Sequence, residues 1–150
     1  MNKKGVTLLE LIVVMVIIAI AAALAIPNIA AWLPNYRLKT ATRDIVSTMR
    51  TAQVKAVTTN LEHRVQFDTE AGSYIIQRRT TAGTLEPDGQ SQKIPSGIRF
   101  HDIDLDGANH NEAIFNPNST STSGHVTLRN KRDTEKRIIL SAATGRIRVE

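Results

Sequence analysis

Lys3-Lys4-Gly5-Val6-Thr7-Leu8-Leu9-Glu10 stands at the front of the chain, and sixteen residues without one polar side chain follow from Leu11 to Ile26, up to Pro27. A helix from Val6 to Ile26 rises about 1.5 Å per residue and so reaches roughly 30 Å, the depth of a bilayer's hydrocarbon core. The stretch predicts one membrane span. Lys3 and Lys4 favour a cytoplasmic start, a bias weakened by Arg37, Lys39 and Arg43 beyond the span. A cleaved secretory signal has the same basic, apolar and small-residue layout, with Ala23-Leu24-Ala25 as its cutting site. Glu10 weighs against that reading and against a plain anchor. A carboxylate in such a segment costs about 2.5–3.5 kcal/mol at a helix centre, and less toward the end.

The rest of the chain is polar by comparison. With 150 residues, 41% of them hydrophobic and only six aromatic, it has room for about one small-core domain. There is no cysteine, which excludes disulfides, a thiolate nucleophile and a cysteine-based zinc site. The net charge of +5 is uneven: residues 1–5 contribute +2, residues 6–124 hold ten basic against eleven acidic side chains, and residues 125–150 hold seven against three. An anionic partner therefore meets the C-terminal end first.

Beyond the apolar run, Leu38, Ala41, Ile45, Met49, Ala52 and Ala56 fall at steps of three and four, a helical period. Lys39, Arg43, Arg50 and Lys55 lie mostly off that stripe, so one face covers a core and another stays wet. Pro27 weakens the helix locally by deleting a backbone donor, or together with Pro34 marks its boundary; Asn60 is a stop signal. After Leu61 the period moves toward two. Val65 and Phe67, then Tyr74 and Ile76 with Gly72 between, predict a hairpin. Further strands are expected at Ile98–Phe100, Ala113–Phe115, His125–Arg129, Lys136–Ser141 and Arg146–Glu150, whereas Thr80–Gln92 and Asn116–Gly124 read as exposed loops. The fold class is α+β: a long N-terminal helix packed by its second half against an antiparallel sheet, so that both apolar faces leave water.

The front segment resembles the processing motif of type IV prepilins and pseudopilins. There, a dedicated peptidase cuts after the glycine and methylates the new amine. The resemblance implies cleavage after Gly5, Val6 as the mature N-terminus, and Glu10 and Pro27 at the family's usual distances from it. Val6 departs from the usual phenylalanine. A carboxylate one turn from a fresh amine can pair with it, in its own chain or a neighbour's, and offset the cost of burying both. The alternative is that Glu10 snorkels to the headgroups.

Ile45-Val46-Ser47-Thr48-Met49-Arg50-Thr51-Ala52-Gln53-Val54-Lys55-Ala56 is similar to the stem end of the GspH/FimT family of pseudopilins. Phe115-Asn116-Pro117, Gly124-His125-Val126-Thr127-Leu128 and Ala143-Thr144-Gly145-Arg146-Ile147-Arg148 resemble its globular half. A pilin-like chain of this kind divides into a leader (1–5), a transmembrane and assembly half of the stem (6–35), an amphipathic half (36–60) and a β-rich periplasmic part (61–150). The resemblance implies a minor subunit of a type II secretion pseudopilus or a type IV pilus. Its partners would be other pilins through the stem, the prepilin peptidase, the bacterial inner membrane and an assembly platform.

Two clusters invite chemistry. Gly145-Arg146-Ile147-Arg148 puts two guanidinium groups on one face of a strand, a geometry that suits phosphates. In some FimT-type minor pilins a terminal motif of this form binds DNA. That implies a DNA site at Arg146 and Arg148, helped by Lys131, Arg132, Lys136 and Arg137, non-specific and salt-sensitive; the plain alternative is a solvated strand face. Asp102, Asp104 and Asp106 followed by Gly107 open like a calcium loop, but position twelve is Ala113 and Glu112 falls one residue early, so a polar turn competes with calcium. His63, His101, His110 and His125 have no metal-ligand spacing. No nucleotide loop, nucleophile elbow or helical zinc motif is present, so no enzyme and no cofactor is expected.

Overall fold

The computed structural model describes residues 7–106 and 110–150, with the side chains of 25–30 outside the description. The chain divides into two units, Met1–Leu33 and Pro34–Glu150. Helix α1, Leu8–Thr59, supplies all the described secondary structure of the first. Thr7 caps it: the Thr7 hydroxyl accepts the Glu10 N–H at 3.2 Å, and the Thr7 carbonyl accepts the Leu11 N–H. The helix is assigned without interruption through Pro27 and Pro34, so neither proline is its boundary. A proline costs one backbone donor, but its fixed φ is helical. In the first unit the large apolar side chains from Leu8 to Leu24 stay outside any core, from 47% exposed at Val14 to 77% at Leu8. Among the described residues no helix is long and apolar enough to cross a membrane. The run that predicts a span in the sequence includes Ala25 and Ile26, whose side chains are not described.

In the second unit α1 buries Leu38, Ala41, Ile45, Met49, Ala52 and Ala56, the stripe read from the sequence. Thr42 and Thr48 lie buried beside it, and each hydroxyl donates to the carbonyl one turn back, Leu38 at 2.8 Å and Asp44 at 3.0 Å. Asn60, at φ 56°, ends the helix in the left-handed region.

Two antiparallel sheets follow rather than one. The first is ordered β3 (Leu85–Pro87), β2 (Ser73–Arg79), β1 (His63–Asp68), β6 (Glu112–Phe115), with β4 (Gln92–Lys93) also on β2. The second is ordered β5 (Ile98–Leu105), β7 (Gly124–Asn130), β8 (Glu135–Ser141), β9 (Arg146–Val149). Strand β3 lies inside the stretch expected to be a loop, Thr80–Gln92, and β4 begins at its last residue. They are short and wholly exposed, so they carry no apolar alternation to read. Strand β5 runs further than expected because a bulge at His101 resets its alternation: Ile98 and Phe100 face inward before it, Ile103 and Leu105 after it. Phe67, Phe115, Leu128, Ile138 and Leu140 join the helical stripe in one core, and Phe67 meets Phe100 edge-on at 5.6 Å. On the first sheet, buried Arg64 donates to buried Glu112 at 2.5 Å and to half-buried Glu62 at 2.7 Å, which pairs its charge while its Nε finds no acceptor among the described residues.

Candidate functional site

At the front of the chain, Gly5 and Val6 lie outside the described residues. Glu10 occupies the first turn of α1 and is exposed, surrounded in sequence by apolar side chains that are exposed as well. A helix apolar on all sides needs lipid or other helices around it, because water cannot solvate that surface cheaply.

The C-terminal basic residues divide between two faces of the second sheet. Strand pairing sets Arg148 beside Ile139, and Arg146 beside Ser141. Paired residues share a face, so Arg146, Arg148 and Arg137 look outward while Ile147 packs on the core. Lys136 does not join them. It is two residues from buried Ile138 and lies on the helix side of the sheet, because an even step along a strand keeps the same face. Lys131 and Arg132 sit in the β7–β8 turn, which Asn130 organises by accepting the N–H groups of Arg132 and Thr134 on its side-chain oxygen. Among the described residues Arg146 and Arg148 have no ion-pair partner. The outward face is mixed in sign, since Glu135 pairs with Arg129, and Asp102 with His125 at 2.8 Å.

Gly145, at the head of the basic motif, is structural. Its φ is +58°, and a Cβ there would stand 2.4 Å from Gln53 Nε2 and 3.0 Å from the Ser119 carbonyl oxygen. Gln53 donates to the Gly145 carbonyl at 3.2 Å, fastening the β8–β9 turn to the helix.

The three aspartates, read as the opening of a calcium loop or as a polar turn, fall on β5 and just past its end. Asp102 and Asp104 belong to β5, and Asp106 accepts from the Ser123 hydroxyl. The His125 hydrogen bond holds the Asp102 carboxyl below its ordinary value. Glu112, the near-miss closing ligand, is turned inward to Arg64. Among the described residues no three His, Asp or Glu side chains gather as a metal site. A bulged edge strand and an acidic loop can share one alternating pattern.

Two sequence-family models match the chain. One, described as type II transport protein GspH, covers residues 41–145. The chain belongs to the GspH family. The other, the prokaryotic N-terminal methylation motif, covers residues 1–26 and so takes in Gly5, Val6 and Glu10. No curated protein matched. Among solved structures, the minor pseudopilin EpsH of the Vibrio cholerae type 2 secretion system aligns with a TM-score of 0.63 at 10% identity, over 76% of this chain and 96% of that one. The type IV minor pilin FimU of Pseudomonas aeruginosa aligns with a TM-score of 0.59 at 17% identity, over 77% and 90%. At these identities the likeness is one of fold: a long N-terminal helix with antiparallel sheets.

GspH-family membership with a methylation motif implies a membrane-anchored subunit of a pilus or pseudopilus, processed at its prepilin motif and assembled with other pilins. The GspH match ends at Gly145, so Arg146 and Arg148 lie beyond it.

Two features of this GspH-family chain escaped the sequence reading. Lys55 donates to Asp88 at 2.8 Å, and buried His63 lies 3.3 Å from the same carboxylate oxygen. The Lys55 hydrogen bond, helped by the charges of Lys55, His63 and Arg78, outweighs desolvation and lowers the Asp88 pKa. The second is a cavity of about 460 Å³ between the helix and the β8–β9 end of the sheet, where Lys39 and Arg43 meet Lys136. Lys39 and Lys136 are 97 positions apart in sequence, and no local pattern announces their meeting.

Proposed function

We propose that this chain is a minor structural subunit of a type II secretion pseudopilus or a type IV pilus, cut after Gly5 by prepilin peptidase and held in the inner membrane before its assembly platform extracts it. The stem then exchanges lipid for neighbouring helices, and Glu10 pairs with a Val6 amine. The role is assembly rather than catalysis. The observation that carries this reading is the ring of exposed apolar side chains from Leu8 to Leu24 with one carboxylate, Glu10, in its first turn. Glu10→Ala should leave membrane insertion intact and abolish most crosslinking of the stem to neighbouring pilins. Normal crosslinking of that variant would remove the pairing role.

Arg146 and Arg148 support a second reading, a DNA contact, because both are exposed, share a face and have no ion-pair partner among the described residues. The full chain in detergent should then retard duplex DNA at low salt, and Arg146→Ala with Arg148→Ala should abolish the shift. Unretarded DNA with the unaltered chain would end this reading.

A further inference from the structure

The cavity beside the helix has the makings of an anion site. Lys39 and Arg43 come from successive turns of α1, and Lys136 from β8. None of the three has a hydrogen-bond or ion-pair partner among the described residues. Among the described residues no acidic side chain lines the cavity. Of the acids beside Lys136 in sequence, Glu135 pairs with Arg129 and Asp133 lies 3.7 Å from the same guanidinium; Asp44 and Glu150, which adjoin Arg43 and Val149, are not among the residues lining the cavity. Leu38, nearly fully buried, and Val149 give the cavity apolar wall. Three uncompensated cations around an apolar lining suit a ligand with an anionic group joined to an apolar body.

Position narrows the ligand. Trp32 and Tyr36 are one helical turn apart in sequence, and they are 59% and 50% exposed. Trp and Tyr in that setting are typical of a membrane's interfacial layer. From Tyr36 to Arg43 a helix rises only about 10 Å, comparable with the headgroup layer that brings a bilayer from about 30 to 40–45 Å.

We propose that the cavity of Lys39, Arg43 and Lys136 binds the phosphodiester headgroup of an anionic membrane lipid while the subunit is held in the membrane. The inference rests on the membrane-held stage of the proposed function, and it adds a ligand that must be released when the stem is withdrawn. The phosphate takes the three cations, and the glycerol and first acyl carbons lie against Leu38 and Val149.

The full chain in neutral detergent, titrated with phosphatidylglycerol and watched by native mass spectrometry, should retain the lipid in preference to phosphatidylcholine. Lys39→Gln, Arg43→Gln and Lys136→Gln together should weaken that retention at least about tenfold. Removing equal charge outside the cavity, with Arg50→Gln, Lys93→Gln and Lys131→Gln, should leave it unchanged. Val149→Trp, which fills the cavity and keeps every charge, should also reduce it. Undiminished retention by both cavity variants would overturn the proposal. Two other results would also overturn it: equal potency of inorganic phosphate as a competitor, marking a free-anion site, and preference for an Asp/Glu-rich peptide over the lipid. The readout does not depend on assembly. If lipid retention is indifferent to the cavity while Glu10→Ala still blocks crosslinking, this inference fails alone; if Glu10→Ala assembles normally, the pairing role fails instead.

Discussion

Gly145 concentrates the constraints that act on single residues. A side chain there must adopt φ near +58° and also displace Gln53, whose amide holds the turn's carbonyl. Left-handed strain in a residue with a Cβ costs about 1–3 kcal/mol. Gly145→Ala should therefore lower the melting temperature by several degrees, and an unchanged melting curve would contradict the packing described. The same residue shows what the sequence does and does not disclose. The Gly-Arg-Ile-Arg spacing correctly anticipates two arginines on one strand face, because a period of two survives any packing. It could not tell that the glycine is spoken for by Gln53, a contact across 92 positions. Nor could it tell that Lys136 faces away from Arg146 and Arg148, since that depends on the register in which β9 pairs with β8.

Among the elements, the loop between β2 and β5 is fastened to α1 through Asp88 and Lys55. Asp88 has a folded-state pKa below its ordinary 3.8. Its contribution is present above the unfolded value and is lost as pH falls through the folded one. Lys55→Met should therefore melt slightly below the unaltered chain at neutral pH, with the gap closing as pH drops below 3.8. A pair this exposed is worth under about 1 kcal/mol. A gap of constant size down to acid pH would contradict the assignment. The stem's buried stripe was legible in full, because six apolar or small residues at helical steps specify one face. Strands β3 and β4 were not, since they are held by backbone pairing to β2 with no apolar pattern of their own. The bulge at His101 hid the end of β5 by breaking the period midway.

For the whole molecule, the governing fact is the contrast between its two units. Residues 34–150 bury an apolar core shared by helix and sheets, while in residues 1–33 the large apolar side chains from Leu8 to Leu24 stay 47–77% exposed. Such a helix is stable only where lipid or other helices surround it. Family membership, the methylation motif and the exposed apolar helix agree on a membrane-anchored subunit of a pilus or pseudopilus. That division was plain in the sequence, because sixteen unbroken apolar residues admit few structures. The cavity at Lys39, Arg43 and Lys136 was not, because it forms only when helix and sheet meet. The account turns on the amine that cutting after Gly5 would expose to Glu10. Mass spectrometry of the chain isolated from its native membrane should find it beginning at Val6 with a methylated amine. A chain that keeps Met1–Gly5, or that begins at Ile26, would contradict it.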